Sequence, residues 1–261
     1  MRARTSLSAP ERLLRSLGVD TPKGIDLDLV AYARGARVFR RPLEGAEAHI
    51  QGRDGEAAIT VNVHSSHERQ RYSLAHELGH WHHHRGQKLF CRGDEQSTWH
   101  KGKTDPERTA DAYAADLLMP SYLFVPRAET VRRVEIETMR PLAKEFETSL
   151  TATVIRFVER GPFPAAVVWY DKDGAFGWKR LNHRLMGGNV RLPPRVHHDA
   201  KAFELLYGTC QASRGSAIRA DTWLMEGRFS THRLIESCVS VLDGVLVLLW
   251  FSDHRLIQAL S

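Results

Sequence analysis

Apolar positions along this chain follow two periods, and the switches between them mark out the elements. Leu13, Leu14 and Leu17 recur at helical spacing behind Ser8-Ala9-Pro10-Glu11, a cap with its reciprocal glutamate, and Gly18 stops the run. A second short helix is predicted from Asp26, with Leu27, Val30 and Ala31 turned inward and Gly35 at its end. The period then falls to two. Val38–Arg41, Ala48–Gln51 and Ala57–Val63 read as short strands, the last two joined across Asp54-Gly55, a favoured hairpin turn.

From Ser65 the helical period returns. Ser65-x-x-Glu68 has the form of a capping box, and Tyr72, Leu74, Ala75, Leu78 and Gly79 form an apolar face with no proline before Gly86. Residues 87–103 are polar and glycine-containing and read as an irregular loop. Asp105 as cap, Pro106 at the first helical position and Pro120 as terminator delimit the next helix. Tyr122 to Arg160 stays helical in pattern, with breaks expected at Pro126 and near Pro141. Beyond Gly161 strands dominate: hairpins over Ala165–Lys179 and Val239–Phe251 flank one helix at Ala200–Tyr207.

The helix after Ser65 carries the chemistry. His76 and His80, four residues apart, leave one face of a helix and can take two corners of a tetrahedral metal site. Glu77, beside the first histidine, is placed to take a proton from water in the manner of His-Glu-x-x-His zinc hydrolases. A third ligand is needed, and Glu107 on the next helix is the natural one. Asp111, one turn further, can accept a hydrogen bond from the outer nitrogen of a ligand histidine and fix its tautomer. His80 and His84 also stand four apart, but that pair lacks a glutamate between its members, so His82, His83 and His84 read as cationic residues at a helix C-terminus.

Arg71-Tyr-Ser-Leu-Ala-His-Glu-Leu-Gly-His80, followed by Glu107-x-x-Ala-Asp-x-Tyr-Ala-Ala-Asp-Leu-Leu-Met-Pro120, resembles the ImmA/IrrE family of zinc metallopeptidases over about Leu27 to Pro120. The resemblance implies a gluzincin-like centre with zinc on His76, His80 and Glu107 and with Glu77 as catalytic base. It implies a substrate too: a helix-turn-helix repressor, cut to release stress-response or mobile-element genes. Asp111 stands where that family more often has asparagine. The fold expected is α+β: a zincin-like peptidase domain with a small sheet over residues 1–125, a helix-turn-helix-like segment over 126–160, and a small α+β accessory domain, sensor-like in some relatives, over 161–261.

In zinc peptidases the strand beside the metal helix usually pairs with extended substrate. Ile59, Thr60, Val61, Asn62 and Val63 are the candidates, and an ordinary core or edge strand is the competing reading. In the helix-turn-helix-like stretch Pro141–Phe157, Glu147 holds the place where a glycine is often found, and Ser149 is the expected cap. Thr151, Thr153 and Arg156 alone would face a groove. That is thin for reading bases, so packing is preferred to DNA binding. A DNA-binding regulator built on a peptidase scaffold is the alternative function.

Composition narrows the class further. A chain of 261 residues that is 42% hydrophobic and 8% aromatic suits a packed globular protein. The net charge of +6, spread along the chain, permits acidic partners without specifying one. Cys91, Cys210 and Cys238 are odd in number and far apart, which points to a reducing compartment. The first residues lack an apolar signal-peptide core, and Val245–Phe251 is too short to cross a bilayer, so a cytoplasmic location without membrane attachment is expected.

Overall fold

The structure is a computed structural model, described for residues 6–84, 89–92, 105–188, 190–208, 210, 212–225 and 229–260. By contact the chain divides into two compact units, residues 1–124 with 143–149, and residues 125–142 with 150–261. The segment 126–160 is shared between them.

The first unit opens with helices α1 (Ala9–Ser16) and α2 (Leu27–Ala33). Glu11 accepts from the Ser8 N–H at 2.8 Å, and Asp26 accepts from the amides of Asp28 and Leu29, so both predicted starts form. Strands β1 (Ala36–Arg41), β2 (Ala48–Arg53) and β3 (Glu56–Asn62) follow. Asp54 and Gly55 both have positive φ, 53° and 87°, as the two-residue hairpin turn requires. A fourth strand, β4 (Leu89–Arg92), lies in what reads from sequence as an irregular loop, and it pairs antiparallel with β2. The rest of that loop lies outside the described residues.

The sheet order is β1-β3-β2-β4. β3 runs parallel to β1 and antiparallel to β2 along its whole length. Ile59, Thr60, Val61 and Asn62 therefore have both edges of their strand occupied, and the Val63 N–H is given to Arg41 O at 3.2 Å. The sequence expectation that this strand offers its edge to substrate is corrected on that ground: an interior strand has no unpaired main chain to lend.

Helix α3 (His67–His84) packs on β2 and β3, and α4 (Asp105–Leu118) packs on α3. The cap of α3 is Ser66, whose Oγ accepts from Arg69 N at 3.3 Å. Ser65, the expected cap, instead donates its hydroxyl to Glu47. Helix α5 (Ser121–Ala128) runs through Pro126, where a break was expected; only one turn-closing N–H is missing, and the helix ends two residues later.

Helices α6 (Arg140–Phe146) and α7 (Leu150–Arg160) form the helix-turn-helix-like stretch. Glu147 in the turn adopts φ 53°, the left-handed conformation that glycine would take without strain. Its carboxylate meets Arg71 at 3.1 Å and His67 at 3.3 Å on α3, contacts that offset the strain. Thr153 and Arg156, two of the three residues considered for groove contact, are buried.

The second unit is organised by a five-stranded antiparallel sheet, β5 (Ala165–Asp171), β6 (Phe176–Leu181), β7 (Ala212–Arg219), β8 (Arg233–Val241) and β9 (Gly244–Trp250), in the order β6-β5-β9-β8-β7. The apolar run at Val245–Leu249 is the central strand and fully buried, as a strand covered on both faces must be. One face packs under α8 (Lys201–Tyr207) and α9 (His254–Leu260) with Trp223 and Phe229. Among the described residues no helix is long and apolar enough to cross a membrane.

Candidate metal centre

The centre is built where α3 and α4 touch. Gly79 makes the approach possible: a Cβ there would lie 2.8 Å from Ala110 Cα and 2.9 Å from Ala110 O, backbone atoms that cannot swing aside. Ala110 and Ala114 are fully buried in the same seam. On its other side α3 is held by Trp81, whose indole N–H donates to Arg34 O at 2.8 Å and whose ring fills the space a side chain at Gly52 would take. The helix is thus fixed on two sides, and its polar stripe faces α4.

His76, His80 and Glu107 converge on one point. His76 Nε2 lies 3.0 Å from His80 Nε2 and 3.2 Å from one oxygen of Glu107, and His80 Nε2 lies 3.1 Å from the other. Donor atoms bonded to zinc at about 2.0–2.1 Å in a tetrahedron stand about 3.3 Å apart, so the spacing suits such an ion. The tautomer agrees. His76 Nδ1 is 3.0 Å from Asp111 Oδ1, and giving its proton there leaves the Nε2 lone pair aimed at the same point as the Glu107 carboxylate. Three electron-pair donors facing each other inside a protein repel unless a cation joins them. Burial opposes protonation of His76, but Asp111 and Glu107 outweigh it and push its pKa up to about 9. A proton on His76 Nε2 does the joining in the cation's place, and the hydrogen bond it then gives Glu107 holds that carboxyl below the usual range.

Glu77 belongs to the centre without joining the three. It is 4% exposed, and its Oε2 is shut from solvent and has no hydrogen-bond partner. Burial, reinforced by the Glu107 charge and countered by His76, raises its pKa to about 7. An acceptor left unpaired next to three candidate ligands fits a site that can receive a proton from something bound there.

Of the five residues singled out for the centre from sequence, His76, His80, Glu107 and Asp111 meet and Glu77 feels the charges of His76 and Glu107, whereas Ile59–Val63 do not present an edge. Sequence reasoning missed Tyr72 as a polar participant. Its hydroxyl donates to Asp111 Oδ1 at 2.5 Å, so Asp111 is held from two sides while it orients His76. The available signal was spacing: Tyr72 stands one helical turn ahead of His76. His82 is not one of the three: its ring packs on Tyr113 of α4 with centroids 5.0 Å apart, it lies 3.2 Å from an Arg34 nitrogen, and its pKa is lowered by burial and by His83, Arg34 and Arg12.

Comparison with known proteins agrees with this geometry. Residues 31–158 match the family model of the IrrE N-terminal-like domain, Peptidase_M78. No curated protein matches the chain significantly. Among solved structures, a Mycobacterium tuberculosis transcriptional regulator is similar at a TM-score of 0.61 and 16% identity, over 97% of this chain and 89% of that one, a likeness of fold. Residues 31–158, which hold His76, Glu77, His80 and Glu107, thus form an IrrE N-terminal-like domain of the Peptidase_M78 family.

Proposed function

We propose that the protein is a zinc-dependent endopeptidase acting on an intracellular protein, and that its substrate is a helix-turn-helix repressor whose cleavage switches on stress-response or mobile-element genes. The observation that carries the reading is the convergence of His76, His80 and Glu107 beside the unpaired Glu77 carboxylate. His76, His80 and Glu107 would hold the metal, which when bound supplies Lewis acidity toward the scissile carbonyl and toward water. Glu77 takes the proton of the attacking water and passes it to the departing amide nitrogen, a transfer its buried carboxylate is suited to by an acceptor oxygen left unpaired. Asp111, steadied by Tyr72, keeps His76 in the tautomer that offers Nε2.

A second reading, a regulator that keeps the peptidase fold as scaffold and binds DNA, takes support from the regulator named among the similar folds. The intact Glu77 speaks against it, because holding a metal needs no base. The test is a repressor substrate incubated with wild type and with Glu77→Gln, both loaded with zinc. Cleavage by wild type alone is expected. Equal cleavage by both assigns the base elsewhere, and capture of DNA without cleavage by either favours the scaffold reading.

A further inference from the structure

The first unit has a second open surface, the face of the β1-β3-β2-β4 sheet opposite α3. Ile50, Ile59 and Val61 are buried on the α3 side, and the alternate positions project the other way. Register sets Arg37, Phe39 and Arg41 of β1 in a row beside Ala58, Thr60 and Asn62 of β3. The small side chains of β3 keep the floor low. Toward one end it deepens into a concavity of about 750 Å³ lined by Tyr32, Arg37, Phe39, Gln51, Arg53 and Glu56, among others.

Two features of this face call for a partner. Tyr32 is 78% exposed and Phe39 38%, so two aromatic rings stand in water at one concavity. The charge beside them is basic and uncommitted: among the described residues Arg37 and Arg41 make no ion pair, and Arg41 instead lies over the Phe39 ring at 5.4 Å. Arg53 is engaged by Asp54 at 3.0 Å, and Glu56 is the carboxylate in the lining.

We propose that this face binds single-stranded nucleic acid, with bases stacked on Phe39 and Tyr32 and backbone phosphates met by Arg37 and Arg41. An aromatic ring flanked on both sides by arginines, at steps of about 6.7 Å along one strand, alternates stacking platform and phosphate contact as an extended single strand does. A duplex hides the faces of its bases and leaves the rings unused. An acidic peptide answers the arginines but supplies no planar faces for the rings. The net charge of +6 adds long-range attraction to a polyanion.

The experiment is fluorescence anisotropy with labelled oligo-dT and oligo-U, a matched duplex, and poly-glutamate as competitor, on the full chain. Binding of either single strand above the duplex is expected, and the stronger of the two identifies the preferred sugar. Removing both arginines (Arg37→Ala with Arg41→Ala) should lower the slope of log affinity against log salt by about 1.4. Phe39→Ala should weaken binding on the order of tenfold, and Phe39→Trp should restore it. Circular dichroism identical to wild type qualifies each variant, and a variant that fails it is replaced by Arg37→Gln with Arg41→Gln. No single-strand binding at low salt, equal or tighter duplex binding, displacement by poly-glutamate at equal charge, or indifference to all these variants overturns the proposal.

Discussion

Each unit buries a glutamate with one oxygen lacking a hydrogen bond, and the two are put to different use. Glu77 of α3 and Glu236 of β8 are both shut from solvent, and in both burial raises the pKa. Glu236 answers to the backbone: its Oε1 accepts from Ala202 N at 2.9 Å at the start of α8, and Trp223 favours its charge without reaching hydrogen-bond geometry. It caps a helix from inside a core. Glu77 shares α3 with His76 and His80, two of the three candidate metal ligands, and feels the charges of His76 and of Glu107 on α4. A buried carboxylate is therefore not by itself a mark of catalysis. The neighbours decide, because the same desolvation cost is offset by fixed amide dipoles in one place and, in the proposed mechanism, left open for a transferred proton in the other.

Exchanging each glutamate for glutamine is the sharpest way to separate them. Glu77→Gln should lower the cleavage rate by about 10²–10⁴ with the fold intact, whereas Glu236→Gln should leave the rate of the correctly folded protein unchanged; single-turnover assays read both. Comparable losses in the two variants would erase the distinction. Next in size is the support around His76: Asp111→Ala should weaken metal binding on the order of 10–100-fold in a competitive chelator titration. Tyr72→Phe, which removes one of the two bonds holding Asp111, should fall below that range.

Gly79→Ala touches no ligand yet should lower metal affinity by about five- to tenfold and stability by roughly 1–3 kcal/mol, since the added methyl meets Ala110 backbone and separates α3 from α4. Denaturant titration and the same chelator assay would show it. The smallest effect concerns pH. Because the folded pKa of Glu236 is raised, its contribution favours the fold below the unfolded carboxylate range and is lost as pH rises through the folded value. Glu236→Gln should flatten that part of the stability profile, and an unchanged profile would mean the carboxylate titrates as it does in the unfolded chain.

The metal centre was legible because its signals are local. His76 and His80 share a face by spacing alone, and Pro106 and Pro120 bracket the helix that brings Glu107 and Asp111. Asp54-Gly55 likewise announced its turn. What stayed hidden depends on pairing between distant segments. Nothing in Ile59–Val63 says whether one or both edges are taken, and Leu89-Phe90-Cys91-Arg92 lacks the alternation that marks a strand. β7, reading Ala-Ser-Arg-Gly-Ser-Ala-Ile-Arg, is an edge strand whose polar composition imitates a loop. The capping-box spacing pointed to Ser65 as the cap of α3, and the contact of Ser65 with Glu47, a residue distant in sequence, leaves that place to Ser66.

The central claim is that His76, His80 and Glu107 hold a metal and Glu77 does not. Elemental analysis of purified wild type, His80→Ala and Glu77→Gln tests it most directly. About one zinc per chain is expected in wild type and in Glu77→Gln, with most of it gone from His80→Ala, because two remaining ligands bind far more weakly than three. Equal zinc in wild type and His80→Ala, or its loss from Glu77→Gln with the fold retained, would contradict the account.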